Sequence, residues 1–388
     1  MSFRIKHIII ILFFCNEFVA QEPIFTQFCL NPIYVNPALA GSDNNFKLSA
    51  NQRFQWPGIP SQFNTTTIAL DSWQNLTNSG FSSLYTRNVE GEGSLTTTSY
   101  SVGAAYRLFD KGQSPIKIQV GFQYQHITKR IDWSRLVFSD ELDAIYGDIF
   151  SSAFTSPDLN SYHINNLSLG GVFIYRIRKG VSRIGRNHAK MDVDNEIGFA
   201  IHNFVQREDG FIFPNQLSPR KITVHGSFLM SLYNKKGSTG IKPNFIYQQQ
   251  GKMKTTQIGC DAMMYPLHYG VFYRHQVSSI NEDPNRQESL GFLIGYRRNF
   301  SSNMSITFSY SKDFSISKLG GSTRGTDEIL LIIESIRGGL FSGLINEKRR
   351  KRFKERPMPC YDKFNPRSVI NTRMGPLDPN PKFKTNND

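Results

Sequence analysis

Histidine and cysteine are the side chains of this chain best suited to metal binding or nucleophilic catalysis. Past residue 20 the histidines are His126, His163, His188, His202, His225, His268 and His275. None of them forms an HExxH pair or another close metal-ligand spacing. The chain also has no G-x-S-x-G elbow, no P-loop and no G-x-G-x-x-G after a strand. We therefore expect no metal, no cofactor and no catalytic site; an enzyme that gathers Ser, His and Asp from different strands is the alternative.

Three cysteines follow residue 20: Cys29, Cys260 and Cys360. An odd number of cysteines at such wide spacing is neither a disulfide framework nor a zinc pattern. We interpret them as free thiols or small hydrophobic side chains, with a single bridge as the alternative.

The stretch from Gln21 to Trp56 has the most distinctive spacing in the chain. It contains two Asn-Pro pairs, Asn31-Pro32 and Asn36-Pro37, and then Gly41. Each proline fixes its own φ, removes a donor and moves the preceding Asn out of the helical region. We expect a stiff, extended, turn-rich segment that ends where Gly41 takes a left-handed turn. An ordinary proline-rich leader before the first strand is the alternative.

The first twenty residues resemble a secretory signal peptide. A basic start is followed by an apolar stretch, Ile8 to Phe14, which is too short to span a membrane as a helix. Val19 and Ala20 then precede Gln21, where we expect cleavage. The mature chain is therefore expected to leave the cytoplasm.

A two-residue hydrophobic period recurs from Phe46 to about Arg337 and predicts strands with one apolar and one polar face. Thirteen or fourteen strands are expected. Their predicted starts lie near Phe46, Phe63, Thr96, Ile116, Ile164, Asn195, Lys221, Gly240, Thr255, Leu267, Glu288, Asn303 and Thr326, with a further run at Phe81 to Thr86.

Two architectures produce this pattern: a soluble sandwich or barrel, and a transmembrane antiparallel β-barrel whose apolar face points outward. Long strands, aromatic residues near the strand ends and a consistently polar second face favour the transmembrane barrel. Short connections, such as that at Pro266, alternate with long ones, such as 128–163, as in outer-membrane barrels. Within the long connection we expect a short helix near Asp140 to Tyr146.

The strand pattern stops near Gly338, and a basic, proline-rich tail follows. Residues 346–388 contain 12 Lys and Arg against 5 Asp and Glu, a net +7, which is half of the chain's +14. We expect an extended basic arm with too few apolar residues to fold alone. The signal peptide and the lack of regularly interleaved aromatics argue against nucleic acid as its partner. An acidic protein surface or an anionic polymer fits better, and a merely solvated tail is the alternative.

Several motifs resemble those of the PorP/SprF family, outer-membrane proteins of the type IX secretion and gliding system of Bacteroidetes. The first is Asn31-Pro32-x-x-x-Asn36-Pro37-Ala38-x-Ala40-Gly41, followed by Arg53-x-Gln55-Trp56. Others are Gly270-Val271-Phe272-Tyr273-Arg274 in the middle and Tyr310-Ser311-Lys312-Asp313 leading to Gly325-Thr326-Asp327-Glu328-Ile329 near the end. Met358-Pro359-Cys360 resembles a Cys-Pro ending of the family. Lys312 stands where the family usually has an aromatic residue, and Thr326-Asp327 replaces Ser-His.

The resemblance implies a barrel of about 14 strands without enzymatic activity, in the outer membrane, that helps to deliver or anchor secreted adhesin-type cargo. It also implies contact with the lipid bilayer, with periplasmic ring and lipoprotein components and with an OmpA-like peptidoglycan-binding protein, and an element inside the lumen. The expected organisation is a signal peptide at 1–20, a periplasmic or plug-like segment at 21–45, a barrel at 46–345 and a basic periplasmic tail at 346–388. A passive porin or hydrophobic-solute transporter is the alternative function.

We expect the residues of structural or partner contact to lie in these motifs and in the tail. They are Asn31, Pro32, Asn36, Pro37, Gly41, Arg53, Trp56, Asp313, Glu328, Lys348, Arg349, Arg350, Lys351 and Arg352.

Overall fold

The computed structural model describes the chain between residues 22 and 335. The gaps within this range are 60–62, 76, 109–114, 144, 146, 149–150, 158, 185–186, 212–216, 235–236, 279–284, 301–303 and 317–322. The expected signal peptide and basic tail, with Lys348 to Arg352 and Cys360, lie outside the described residues.

Fourteen long antiparallel strands and two very short ones make up nearly all of the regular structure. The long strands are β1 (Phe46–Gln55), β2 (Phe63–Gln74), β3 (Ser79–Glu90), β4 (Leu95–Arg107), β5 (Ile116–Arg130), β8 (Ser161–Ile184), β9 (Asn187–His202), β10 (Lys221–Asn234), β11 (Gly237–Gln250), β12 (Met253–Met264), β13 (Leu267–Ser278), β14 (Asn285–Asn299), β15 (Met304–Ser315) and β16 (Thr326–Ser335). The short strands are β6 (Leu142–Asp143) and β7 (Gly147–Asp148).

The long strands form one closed barrel in chain order, in which each strand pairs with its sequence neighbour. Closure joins the two ends of the sheet, because β1 pairs with β16 in a register that places Ala50 opposite Leu331. Closure satisfies the backbone hydrogen bonds that the edge strands would otherwise leave open. The predicted antiparallel barrel of about 14 strands is confirmed, including the strand in the Phe81 to Thr86 run.

The two faces of the barrel differ in polarity as the period-2 pattern predicts. On β4, Tyr100 and Val102 point outward and are 58% and 59% exposed, whereas Ser99 and Ser101 point inward and are buried. The neighbouring strand repeats this arrangement, with Phe122 outward and Gln123 inward. An apolar outer surface around a polar interior is the arrangement of a membrane-spanning barrel, so the soluble alternative is wrong.

The two ends of the barrel differ in the length of their connections. At the end where β1 begins and β16 ends, β8 and β9 are separated by residues 185–186 alone, and β12 and β13 by 265–266. At the other end, residues 131–160 lie between β5 and β8 and residues 203–220 between β9 and β10. We call these the short-turn end and the long-loop end. Outer-membrane barrels have their short turns in the periplasm and their long loops outside the cell.

The helix predicted near Asp140 to Tyr146 is wrong, since β6 and β7 form a small two-stranded sheet there. Asp140 links this part of the loop to residues farther along it. Its carboxylate accepts hydrogen bonds from Ala153 N at 2.7 Å and from Ser152 Oγ at 2.9 and 3.0 Å. The carboxylate thus holds the loop folded back on itself. Among the described residues, no helix is long and apolar enough to cross a membrane.

Candidate functional site

Residues 22–45, which we call the lumen segment, run through the inside of the barrel from one end to the other. At the long-loop end, Glu22 forms an ion pair with Lys221, the first residue of β10. At the short-turn end, the carbonyl of Asn45 accepts a hydrogen bond from Trp73 N at 3.2 Å, next to the start of β1. The segment therefore crosses the full height of the barrel before the first strand begins.

The segment consists of short helical turns and is not extended as the sequence predicted. A 3-10 turn at Phe28–Leu30 precedes a one-turn α-helix at Pro32–Val35, and a second 3-10 turn follows at Pro37–Leu39. Each proline begins a turn, a position where its missing N–H costs nothing and its fixed φ is already helical. Asn31 and Asn36 precede the prolines with φ of −120° and −153°, outside the helical region as expected.

Thr26 is the centre of a buried polar network near the long-loop end, which we call the Thr26 cluster. Its hydroxyl donates to Asp313 Oδ2 at 2.5 Å and accepts from Arg274 Nη2 at 2.9 Å. Its backbone N–H donates to Glu328 Oε2 at 2.9 Å, and its carbonyl accepts from Gln257 Nε2 at 2.9 Å. All the polar groups of this one residue are bonded to four different strands of the barrel wall.

The charges in the Thr26 cluster compensate one another. Arg274 Nη1 lies 3.1 Å from Asp313 Oδ2, and Glu328 accepts a second hydrogen bond from Asn51 Nδ2 at 2.8 Å. Arg53, also buried, donates to the carbonyl of Ile24. Buried charges are stable only when they are paired and hydrogen-bonded, and removal of one partner of such a pair is strongly destabilising. The cluster therefore holds the start of the lumen segment in one position.

Gln27 extends these contacts along the inner face of β15. Its side-chain amide donates to Ser311 Oγ at 3.1 Å and to the carbonyl of Glu328 at 3.2 Å, and its oxygen accepts from Ser309. The lumen-facing side of β15 carries small hydroxyl side chains where the lumen segment lies close to the barrel wall.

Asn36 fixes the middle of the segment. Its Oδ1 accepts from Ala38 N at 2.9 Å and so caps the following turn. Its Nδ2 donates to the carbonyls of Gly171 at 3.1 Å and Phe199 at 3.3 Å, and lies 3.0 Å from His225 Nε2. One side chain therefore joins the segment to three neighbouring strands.

Glycines form the wall against which residues 36–40 pack. A Cβ on Gly121 would lie 2.5 Å from the backbone of Pro37 and Ala38, and one on Gly80 would lie 1.9 Å from the carbonyl oxygen of Ala40. Any larger residue at these positions would push the segment away from the wall. Gly41, with φ of +65°, takes the left-handed turn that the sequence predicted.

Apolar contacts hold the segment at several further points. Ile33 packs with Ala69 and Leu84, and Leu39 packs with Val172 and Ile174. Other buried clusters place Leu30 against Phe272 and Phe28 against Ile246. Burial of such side chains contributes roughly 1.5–3 kcal/mol each. The segment is thus a packed part of the interior.

Two cavities among the described residues lie at the long-loop end, on either side of Glu22 and Pro23. One has a volume of about 350 Å³ and extends to Arg53 and Arg274; the other has about 230 Å³ and extends to Tyr34 and Lys129. Near the short-turn end, the cavities around Cys29 have volumes of about 40 and 60 Å³. The two larger of these four cavities therefore lie at the long-loop end.

The structure brings most of the expected site residues together inside the barrel. Asn31, Pro32, Asn36, Pro37 and Gly41 belong to the lumen segment, and the side chains of Arg53, Asp313 and Glu328 contact its first residues. Trp56 lies apart at the long-loop end, where its ring packs edge-on against Phe63 at 5.3 Å and its backbone N donates to the Gly325 carbonyl at 2.9 Å.

Sequence reasoning missed Thr26, Gln27 and Gln257 as site residues, and it noted Arg274 only as part of a motif. The available signal was the face on which they lie: Gln257 and Arg274 occupy inward positions of β12 and β13, where a long polar side chain needs a partner. Cys29 and Cys260 are both free thiols. Within the described parts of the chain, no three His, Cys, Asp or Glu side chains are grouped to hold a metal ion.

Comparison with known proteins gives a family match across most of the chain. The model of the family described as "Type IX secretion system membrane protein PorP/SprF" matches residues 17–333. No curated protein matches the sequence.

The solved structures that resemble this chain are distant from it in sequence. The CymD monoaromatic hydrocarbon channel is 8% identical, with a TM-score of 0.36, over 79% of this chain and 91% of that one. The transport unit of the autotransporter AIDA-I from Escherichia coli is 11% identical, with a TM-score of 0.36, over 75% and 88%. A FadL homologue from Pseudomonas aeruginosa is 8% identical, with a TM-score of 0.32, over 75% and 88%.

Proposed function

This chain belongs to the PorP/SprF family of type IX secretion system membrane proteins, and on that premise we propose that it helps to deliver or anchor secreted adhesin-type cargo at the cell surface. It is an outer-membrane protein. In this proposal it has no enzymatic activity and acts as a binding and assembly component of the secretion and gliding machinery.

The observation that carries the proposal is the filling of the barrel by the chain's own lumen segment. A passive porin needs a continuous water-filled path, whereas residues 22–45 cross this lumen from end to end and bond to its wall on many strands. A filled barrel supports the role of an anchor over that of a diffusion pore.

Conductance across a planar lipid bilayer separates the two functions. The purified full-length protein is expected to give no steady open pore. A stable single-channel conductance from the native protein would support the alternative, a passive porin or hydrophobic-solute transporter.

The basic tail is the region that we propose for contact with the periplasmic machinery. β16 ends at Ser335 at the short-turn end, which is periplasmic in outer-membrane barrels, and this supports the proposal that residues 346–388 form a periplasmic tail. Their net charge of +7 suits an acidic protein surface. The proposed partners are the periplasmic ring and lipoprotein components and an OmpA-like peptidoglycan-binding protein.

Deletion of residues 346–388 tests this assignment. We expect loss of cargo from the cell surface while the barrel keeps its heat-modifiable migration on gels. A matched variant that replaces Lys348, Arg349, Arg350, Lys351 and Arg352 with glutamine keeps the length of the tail and removes five of its charges. Normal surface display in both variants would contradict the role of the tail.

A further inference from the structure

The outer surface of the barrel carries two unpaired arginines near the long-loop end, Arg87 on β3 and Arg130 on β5. Both side chains are exposed and point away from the lumen. Neither guanidinium has a hydrogen bond or an ion pair with any described residue. A free arginine beside a membrane is a natural phosphate ligand, because its planar fork of N–H donors matches phosphate oxygens.

Strand register brings the two arginines to the same small area. Arg87 lies opposite Thr98 of β4, and Arg130 lies opposite Thr96 of the same strand, two residues away on the same face. Neighbouring strands are about 4.8 Å apart and the two-residue offset adds about 7 Å along the strands, so the two Cα atoms are about 12 Å apart. Long arginine side chains from both sides can therefore meet above β4, where the Thr98 hydroxyl adds another donor. We call Arg87, Thr98 and Arg130 the rim patch.

The rim patch lies directly above the apolar belt of the barrel. One step down each strand toward the short-turn end are Tyr85 and Tyr100, whose ring centroids are 5.0 Å apart. Tyr124 lies lower on the outer face of β5, and its hydroxyl donates to Asn165 Oδ1 at 2.9 Å. Tyrosines at this position mark the boundary between lipid tails and headgroups. The arginines are thus at the height of the headgroups.

Among the described residues, no acidic side chain occupies an outward position next to the rim patch on β2, β3, β4, β5 or β8. The outward neighbours on these strands are Asn64, Thr66, Ile68, Val89, Thr96, His126, Thr128, Ser161, His163 and Asn165. The nearest acid to Arg87 along the chain, Glu90, faces the lumen and accepts from Asn88 Nδ2. Glu92 and Asp132 lie in the loops above, and Asp132 accepts from Ser134 N and Oγ at 3.2 and 2.7 Å. Arg135, which donates to Ser94 Oγ just above β4, adds a third positive charge.

Some outward basic side chains elsewhere on this rim lie beside a carboxylate. Lys312 Nζ lies 2.9 Å from Asp327, and His275 lies 3.4 Å from Glu288. Lys254 and Arg286 form a second basic pair on this rim. Both lie opposite Val277 of β13, whose apolar side chain stands where the rim patch has the Thr98 hydroxyl, and the acidic Glu288 is two residues from Arg286. Near the short-turn end, Arg298 is the positively charged side chain that points outward among the described strand residues.

We propose that the rim patch binds a phosphate group on the headgroup of an outer-leaflet lipid. The ligand is a phosphorylated glycolipid or phospholipid, held by Arg87 and Arg130 on its phosphate oxygens and by the Thr98 hydroxyl. Its acyl chains lie along the apolar strands beneath, beside Val102 and Phe122. Such a lipid fixes the height and rotation of the barrel at the cell surface.

Native mass spectrometry of the purified full-length protein tests the proposal, with bisphosphorylated lipid A as the probe. The Arg87→Gln/Arg130→Gln variant is expected to bind lipid A about tenfold or more weakly, since it loses the charge-assisted hydrogen bonds of both guanidinium groups to the phosphate. The matched Lys254→Gln/Arg286→Gln variant removes the same charge from the same rim and is expected to bind within about twofold of the native protein.

Two further probes identify the source of the phosphate. Dephosphorylated lipid A is expected to bind the native protein as weakly as lipid A binds the double variant. Inorganic phosphate at millimolar concentration is expected not to displace lipid A; displacement would favour a free anion and overturn the lipid assignment. If the Arg87→Gln/Arg130→Gln and Lys254→Gln/Arg286→Gln variants lose lipid A binding equally and keep their heat-modifiable migration, the binding reflects non-specific charge on the rim. That result would overturn the proposed site.

Discussion

Gly121 lies directly opposite Gly170 on the inner wall of the barrel, and the Asn-Pro-Ala turn of the lumen segment rests on both. The pair leaves a flat patch of backbone on β5 and β8. A Cβ on Gly170 would lie 2.0 Å from Asn36 Oδ1, the atom that caps the turn. The close approach of two backbones, and not a turn conformation, is what requires glycine here.

Gly121→Ala is therefore expected to dislodge the lumen segment. The added methyl would contact the rigid backbone of Pro37 and Ala38, and overpacking of this kind costs about 1–3 kcal/mol. Planar-bilayer conductance should show open events that the native protein lacks. Gly171→Ala is the matched control, because nothing lies within 4 Å of a Cβ on that outward-facing neighbour of Gly170. Native-like closure of the Gly121 variant would refute the packing argument.

Arg274→Met is expected to weaken the Thr26 cluster by about 3–5 kcal/mol, because Asp313 is left buried without its charge partner. Urea unfolding of the protein in liposomes measures the change. Lys312→Met is the control, since Lys312 lies next to Asp313 in the chain but forms a more exposed ion pair with Asp327. Its loss is expected to lower the stability by less than about 1 kcal/mol. A double variant, Arg274→Met with Asp313→Leu, should regain part of the lost stability. If Arg274→Met and Lys312→Met have equal effects, the cluster does not fix the segment.

Asn36→Ala with Pro37→Ala is expected to impair the filling of the lumen more than the folding of the barrel. The change removes the cap on Ala38, worth about 1 kcal/mol, and the bonds to Gly171 and Phe199. Protease cleavage within residues 22–45 should rise while heat-modifiable migration on gels persists. Asn31→Ala is the control, since that side chain has one long contact, 3.4 Å to Thr67. Loss of heat modifiability would place the segment in the folding core.

The loop between β5 and β8 is expected to become less ordered at low pH. Hydrogen bonds from Ala153 N and Ser152 Oγ lower the pKa of Asp140 below its ordinary value. A carboxyl whose folded pKa is depressed stabilises the fold above its unfolded pKa, and the contribution disappears as pH falls through the folded pKa. Protection of the amides of residues 151–157 against hydrogen exchange, measured relative to their intrinsic rates at the same pH, should therefore fall below about pH 4. Asp140→Asn should show fast exchange already at pH 7; exchange in this variant that is as slow as in the native protein would exclude the mechanism.

The wall of the barrel could be predicted from the sequence because its signal is local. Alternation of side chains such as Phe122 and Gln123 needs only a few adjacent residues to reveal a strand and its two faces. The predicted strand starts agree with the observed β1, β2, β5, β10, β13 and β16 to the residue.

The contents of the lumen could not be predicted in the same way. The partners of Thr26 and Gln27 lie more than 200 residues away along the chain, and no local period links them. Asp313 and Glu328 lie in motifs that resemble those of the family, whereas Thr26 belongs to no motif. The helical turns at the two prolines were missed because X-Pro restricts the residue before the proline and leaves the following turn to be decided by packing.

The bond between Thr26 N and Glu328 spans 302 residues, nearly the whole length of the strand-forming chain. Contacts at this separation form late, because the chain entropy of closing so large a loop must be lost first. Glu328 reaches its place only when β16 has paired with β1, which closes the barrel. An incompletely assembled sheet therefore lacks the anchoring point for residue 26. Docking of the lumen segment therefore reports that the barrel has been completed: residues synthesised before every strand are among the last to be fixed in place.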